Sequence, residues 1–104
     1  MHREGFWRPS SAASSQLPFP QERPKAWKGK RELLQALIKK EGNATRIAVA
    51  GRDECLLCSE RLTRTEFWVL GQWKWPASLY HYVKIHHVRP SLGFHEFVVG
   101  RELK

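Results

Sequence analysis

Apolar residues recur at two spacings along this chain, and together the two spacings predict an α+β domain. Residues 25–41 carry a stripe with the helical spacing of three and four residues, formed by Leu33, Leu34, Leu37 and Ile38. Strand-like composition follows, since residues 45–50 and 64–70 are rich in β-branched and aromatic side chains. A turn at residues 71–72 then predicts a hairpin with a return strand at residues 73–75.

The helical spacing returns near the C-terminus. Pro76 suits the first turn of a helix, which we expect over residues 77–87 with an apolar face formed by Leu79, Tyr82, Val83 and His86. An Arg-Pro break follows, and Ser91 is a candidate N-cap for a last short helix over residues 92–99. A strand over residues 96–99 is the alternative for that segment.

The first 23 residues show neither spacing. Four serines and three prolines interrupt them, and such a composition sustains neither a helix nor a strand ladder. We therefore expect a disordered basic arm over residues 1–23, followed by a single folded domain over residues 24–104. Four apolar residues leave open that the arm docks onto the domain or onto a partner: Phe6, Trp7, Leu17 and Phe19.

Charge is unevenly distributed along the chain. The net charge is +8, and residues 1–31 hold seven basic residues against two acidic ones. A basic segment favours binding to nucleic acid or another anionic surface, although it also suits a solvated tail. Cations crowd the start of the first helix, which is the end where the helix dipole disfavours them. Four residues there are candidate nucleic-acid contacts: Lys25, Lys28, Lys30 and Arg31.

The clearest chemical signal is a set of thiols and imidazoles within residues 55–87. Cys55 and Cys58 form a C-x-x-C pair, His81 comes after 22 intervening residues, and a further histidine lies at His86 or His87. Two cysteines and two histidines are the ligand set of a tetrahedral structural zinc site, in which no position is left for water. The sequence therefore predicts one structural Zn²⁺ per chain. A domain this small has a thin core, which a metal ion commonly supplements.

The choice of the fourth ligand depends on the predicted helix. His86 lies on its apolar face, which favours His86 over His87. Residues five apart point about 140° apart on an ideal helix, so the helix end must loosen for His81 and His86 to converge. His95 is the reserve candidate, and His2 lies in the arm.

Two blocks around these ligands resemble a group of small uncharacterised bacterial zinc-binding proteins. The blocks read C-x-L-C at residues 55–58 and W-P-x-x-L-x-H-Y-V-x-x-H-x-V-R-P at residues 75–90. The resemblance covers about residues 45–99, implies a shared zinc-binding fold, and matches His81 and His86 as ligands. The ligand set is also similar to that of Cys2His2 zinc fingers. The gap of 22 residues between the pairs exceeds the roughly 12 of those fingers, so their DNA-docking mode is not implied.

Other chemistry for these residues is less well supported. A C-x-x-C pair can be a redox centre, but that is expected in a βαβ context, and two free buried thiols are a further alternative. A catalytic zinc site would keep a water as its fourth ligand, with Glu54 or Glu66 as the base. The zinc-deaminase pattern, H-x-E before P-C-x-x-C, is absent from the sequence. We therefore do not expect an enzyme.

The expected function is a binding module whose partner is nucleic acid, contacted non-specifically, or a protein. A protein partner would be favoured by an exposed tryptophan-rich strand pair, but we expect at least two of its three indoles to fill the core: Trp68, Trp73 and Trp75. The sequence has no run of 18 apolar residues and no apolar leader, so no membrane partner is expected. Two cysteines in a C-x-x-C pair suit a reducing compartment, and we expect a cytoplasmic monomer.

Overall fold

The fold combines a twisted sheet with helices, which confirms the predicted α+β class. The computed structural model describes residues 1–7, 18–48, 53–62 and 66–100. Within them the chain forms a four-stranded sheet, a separate two-stranded ladder and three helices. The elements in chain order are β1 (His2–Arg3), α1 (Lys30–Asn43), β2 (Thr45–Ala48), β3 (Asp53–Glu54), β4 (Arg61–Leu62), β5 (Glu66–Leu70), β6 (Trp73–Pro76), α2 (Leu79–His86) and α3 (Leu92–Val99).

The main sheet has the strand order β1-β6-β5-β2. Strands β5 and β6 form the predicted hairpin, and β2 pairs antiparallel with β5. The hairpin turn needs Gly71, whose φ of 58° lies in the left-handed region that favours glycine. Within the hairpin Trp68 lies opposite Trp75, and both are buried. The sheet thus presents a pair of indoles to the helices.

The main core lies between these indoles and the three helices. Each helix contributes two fully or nearly fully buried residues: Leu33 and Leu37 from α1, Leu79 and Val83 from α2, and Phe94 and Val98 from α3. The indole N–H of Trp75 donates to a carboxylate oxygen of Glu41 at 3.0 Å, so the one polar atom of this buried ring is satisfied. Trp73 also packs on α3, with its ring centroid 5.3 Å from that of Phe94. The expectation that at least two of the three indoles fill the core is confirmed.

Residues 1–7 differ from the disordered arm predicted over residues 1–23. Strand β1 pairs parallel with β6, because the backbone groups of β6 that face away from β5 find partners there. The Glu4 carboxylate accepts hydrogen bonds from the backbone N–H and the hydroxyl of Ser91, at 3.1 and 2.6 Å. Gly5 is buried with φ of 79°, and a Cβ there would lie 3.0 Å from Leu79 Cδ1. Residues 8–17 of the predicted arm lie outside the described part of the chain.

Several predicted boundaries shift in the structure. Helix α1 begins at Lys30 rather than at residue 25, because Gly29 takes a left-handed conformation, with φ of 88°, immediately before it. Pro76 ends strand β6 rather than starting a helix, and α2 begins only at Leu79. The last helix, α3, has the predicted bounds, and the Ser91 hydroxyl caps it by accepting from Phe94 N at 3.3 Å.

The strands predicted over residues 45–50 and 64–70 are seen as β2 and β5, and the remaining residues of both predictions lie outside the described part. In the described ranges, none of the helices has the length and apolar composition needed to cross a bilayer.

Candidate metal centre

The two cysteines lie in the turn between β3 and β4. Two backbone hydrogen bonds close this turn: Cys55 N donates to Glu60 O at 2.9 Å, and Ser59 N donates to Cys55 O at 2.8 Å. The backbone N–H of Leu57 points at Cys55 Sγ, 3.4 Å away. A short ladder with a tight turn therefore holds both sulfurs on one side, as the C-x-x-C spacing predicted. We name residues 53–62 the cysteine turn.

The two predicted histidine ligands, His81 and His86, lie on α2, and the end of that helix departs from ideal α-helical geometry. His86 is the last helical residue, and His87 follows in a left-handed conformation with φ of 55°. The backbone N–H groups of His87 and Val88 both donate to Tyr82 O. These bonds span five and six residues instead of the four of an α-helix, so the last turn is wider. The rings of His81 and His86 thereby come to 5.2 Å between centroids.

The thiols and imidazoles converge on one point. The ligand atoms of Cys55, Cys58, His81 and His86 all lie within 4.8 Å of one another. Cys55 Sγ is 3.3 Å from His86 Nε2, and Cys58 Sγ is 3.5 Å from His81 Nε2. Both cysteines are free thiols. The structure thus brings together the four predicted ligand residues in an arrangement that can hold one metal ion.

The site is buried on one side and open on the other. Cys55 and His86 are buried, whereas Cys58 is exposed. A small apolar cluster of Cys55, Tyr82 and Val88 underlies the buried side. The backbone N–H of Leu56 donates to the Tyr82 hydroxyl at 2.9 Å. Helix α2 therefore contacts the cysteine turn through packing and one hydrogen bond, in addition to the ligand group.

Each histidine turns its second ring nitrogen towards a carboxylate. His86 Nδ1 contacts the carboxylate of Glu22 directly. His81 Nδ1 lies 3.8 Å from Glu60, whose side chain is 62% exposed. Carboxylates in this position fix the orientation of metal-binding imidazoles and raise their basicity. Glu22 was not among the predicted site residues, because it falls in a segment predicted to be disordered.

The two thiols differ in acidity. Burial raises the pKa of Cys55 by more than the backbone N–H groups of Leu57 and Cys58 lower it. The pKa of Cys58 is lowered, chiefly by the backbone N–H of Glu60 and further by the ring of His86. Cys58 is therefore the more readily ionised thiol, and Cys55 is the one whose proton a metal ion must displace.

The two imidazoles also differ. Burial lowers the pKa of His81, against the opposing effect of the Glu60 carboxylate. Burial acts in the same direction on His86, but the contacts of its ring with Glu22 and Cys58 outweigh it, so the pKa of His86 is raised. His81 is thus ready to bind a metal in its neutral form, whereas His86 keeps a proton up to a higher pH.

The other candidate residues lie elsewhere. His87 Nδ1 is 2.7 Å from the ammonium of Lys30, which settles the choice between His86 and His87 in favour of His86. The reserve candidate His95 is buried in α3 with its ring 5.8 Å from that of Trp27.

Three further predicted candidates also lie outside the ligand group. His2 packs on Trp73 at 4.9 Å between ring centroids. Neither carboxylate that was considered as a catalytic base belongs to the ligand group. Glu66 pairs with Arg46 at 3.4 Å. Glu54 is exposed and directly precedes Cys55 in the chain.

Comparisons with known proteins add no relative. No protein-family model matches the chain, and no curated protein or solved structure is significantly similar to it. The chemistry of the site therefore has to be inferred from its own residues.

Replacing Glu22 by alanine will weaken metal binding by roughly 10–100-fold, because the ring of His86 loses the carboxylate that orients it. Glu60→Ala is the matched control, and a smaller loss is expected since its contact with His81 is longer and solvent-exposed. Titration of both variants with Zn²⁺ against a chromophoric chelator gives the comparison. Equal losses in the two variants, or none in either, would show that Glu22 does not support His86.

Metal binding will weaken as the pH falls, because protons compete for the ligand atoms. The raised pKa values of Cys55 and His86 leave these groups protonated up to a higher pH than ordinary side chains. Affinity therefore rises with pH, by about tenfold per pH unit for each proton that the metal displaces. Zn²⁺ competition titrations at about pH 6, 7 and 8 measure this slope. A constant affinity over that range would contradict the assignment of these ligands.

Proposed function

We propose that the chain is a small binding module whose fold is closed by one structural zinc ion. The distances between the ligand atoms carry this proposal. With zinc–sulfur distances of about 2.3 Å and zinc–nitrogen distances of about 2.0–2.1 Å, a tetrahedral ion separates a sulfur and a nitrogen ligand by about 3.5 Å. Two sulfur–nitrogen pairs of the site are 3.3 and 3.5 Å apart. Thiolate and imidazole ligands together also suit zinc better than the hard cations.

We propose a structural rather than a catalytic ion, and a protein that is not an enzyme. Cys55, Cys58, His81 and His86 fill the four positions of a tetrahedral zinc ion, so no position remains at which a water could be activated. The chemistry that this ion supplies is cross-linking of the cysteine turn to α2.

The proposed partner is nucleic acid, bound without sequence preference. Three of the four cations that the sequence singled out are exposed to solvent: Lys25, Lys28 and Arg31. On helix α2, Lys84 is the one lysine or arginine, so the row of base-reading side chains that classical zinc fingers carry on their helix is missing. Charge attraction to phosphates is therefore the better-supported mode.

A protein partner is the alternative, favoured by exposed apolar side chains. Ile38, Ile85 and Leu92 are each more than half exposed, at 54%, 52% and 58%. Exposed apolar residues mark interaction surfaces when they are contiguous. In either case we propose a cytoplasmic monomer, because the free thiols of Cys55 and Cys58 suit a reducing compartment.

The purified, tag-free chain will contain one zinc ion, and Cys55→Ser and His86→Ala will each abolish its binding. His87→Ala is the matched control, since His87 is adjacent in sequence but faces Lys30 rather than the ligand group. Native mass spectrometry and elemental analysis measure the stoichiometry. Thermal melting with and without a chelator measures the stability that the ion provides, and a large loss of stability is expected because the ion binds only the folded chain.

Metal-free protein that melts identically with and without chelator would overturn the zinc proposal. A reversible disulfide between Cys55 and Cys58 in that protein would point to a redox pair instead.

Binding to a short fluorescein-labelled DNA at low salt, lost at high salt, is expected for the nucleic-acid partner, because phosphate contacts release counterions. Fluorescence anisotropy of the zinc-loaded chain with several unrelated sequences measures this, and similar affinities are expected for all of them. No binding at low salt would exclude nucleic acid and leave the protein partner.

A further inference from the structure

Cations from two distant segments of the chain meet beside the metal centre. Residues 22–32 and 84–89 together contain seven lysines and arginines against two glutamates. One of the two acids, Glu22, is engaged with His86, and the other, Glu32, lies in the first turn of α1. Together the two segments carry more positive charge than either segment carries alone.

Besides the contact of Glu22 with His86, four polar contacts fix the first segment on the end of α2. Two come from residues before α1: the backbone N–H of Arg23 donates to His86 O and the indole N–H of Trp27 donates to His87 O, each at 3.1 Å. Two come from Lys30, whose ammonium lies 2.7 Å from both Lys84 O and His87 Nδ1. The relative position of the two segments is thus set by specific contacts, next to a metal ligand.

These contacts change the role of Lys30. The sequence placed it among the candidate nucleic-acid contacts, but its ammonium points inward and holds α1 against α2. Burial, together with the nearby charge of Lys84, lowers its pKa. Lys30 is therefore a link between α1 and α2, and six exposed cations lie on the same two segments: Arg23, Lys25, Lys28, Arg31, Lys84 and Arg89. We name these six residues the basic face.

The aromatic residues nearby are covered by these same cations. The guanidinium of Arg89 lies over the ring of Trp27 at 5.3 Å, and the ammonium of Lys84 lies over Tyr80 at 5.6 Å. Binding modes in which bases stack on aromatic rings need uncovered rings. The arrangement on this face favours contacts to phosphates over stacking of bases.

We infer that the basic face binds the phosphate backbone of nucleic acid by charge, with no readout of bases. This inference rests on the nucleic-acid partner proposed above and names the surface that holds it. The sequence analysis took its candidate contacts from one segment, residues 25–31. The basic face combines cations of two segments, which come together only in the folded chain. Duplex DNA is then expected to bind at least as tightly as single-stranded DNA, because its charge density is higher and neither bases nor stacking contribute.

The test compares three double variants of the zinc-loaded chain. Lys84→Gln/Arg89→Gln and Lys25→Gln/Lys28→Gln each remove two charges from the basic face, one pair from each segment. Lys39→Gln/Lys40→Gln is the control, because it removes two charges from the far end of α1, about 14 Å from Lys30 along the helix axis. Circular dichroism and zinc content first establish that each variant is folded.

Affinities for a short duplex and its single strand are then measured from about 50 to about 200 mM salt. Each of the two basic-face variants should bind at least about tenfold more weakly at low salt, and the slope of log affinity against log salt should fall by about 2. The control should change both quantities much less.

Each result decides a separate question. Equal weakening in all three variants would overturn the basic face and leave non-specific attraction to net charge. A strong preference for single strands would overturn the charge-only mode, because stacking would then contribute. Wild-type protein that fails to bind at low salt would overturn the nucleic-acid partner itself, and the basic face with it.

Discussion

The convergence of two sulfurs and two ring nitrogens is the interaction on which the rest of this small fold depends. The main core lies between the sheet and three helices, and of the cysteine-turn side chains that the structure describes, none belongs to it. Within the described residues, that turn is held by a short ladder, a small cluster around Tyr82 and the hydrogen bond from Leu56 N to the Tyr82 hydroxyl. Helix α2 therefore serves two purposes. Leu79 and Val83 pack in the main core, while His81 and His86 reach the sulfurs, so an ion bound there would tie the weakly packed turn to the well-packed part.

Residue spacing predicted much of the fold and of the site, for reasons that lie in local geometry. The stripe ending at Ile38 marked α1, and the hairpin followed from β-rich residues around a Gly-containing turn. The apolar face of the second predicted helix also selected His86 over His87, although ideal helix geometry argued against pairing His81 with His86. Spacing indicated that the helix end must loosen, but it could not supply the hydrogen bonds over five and six residues to Tyr82 O, which leave no mark on hydropathy.

Long-range contacts account for what composition could not foresee. Serine and proline predict no long helix or strand near the N-terminus, but they do not exclude docking of a few residues onto a finished sheet. Glu22 illustrates the same point, because its partner His86 lies 64 residues away in the chain. The charge pattern also made Lys30 a candidate nucleic-acid contact, although its ammonium contacts Lys84 O and His87 Nδ1. A net charge states how many cations a segment carries, and only the fold decides which of them face the solvent.

Strand β1, though it has only two residues, changes what the sheet offers to other molecules. Without it, β6 would be an edge strand, with free N–H and C=O groups and two indoles alongside. Exposed strands of this kind act as templates on which further chains add and aggregate. By occupying that position in parallel register, β1 limits intermolecular pairing at β6, while β2 forms the opposite edge of the sheet.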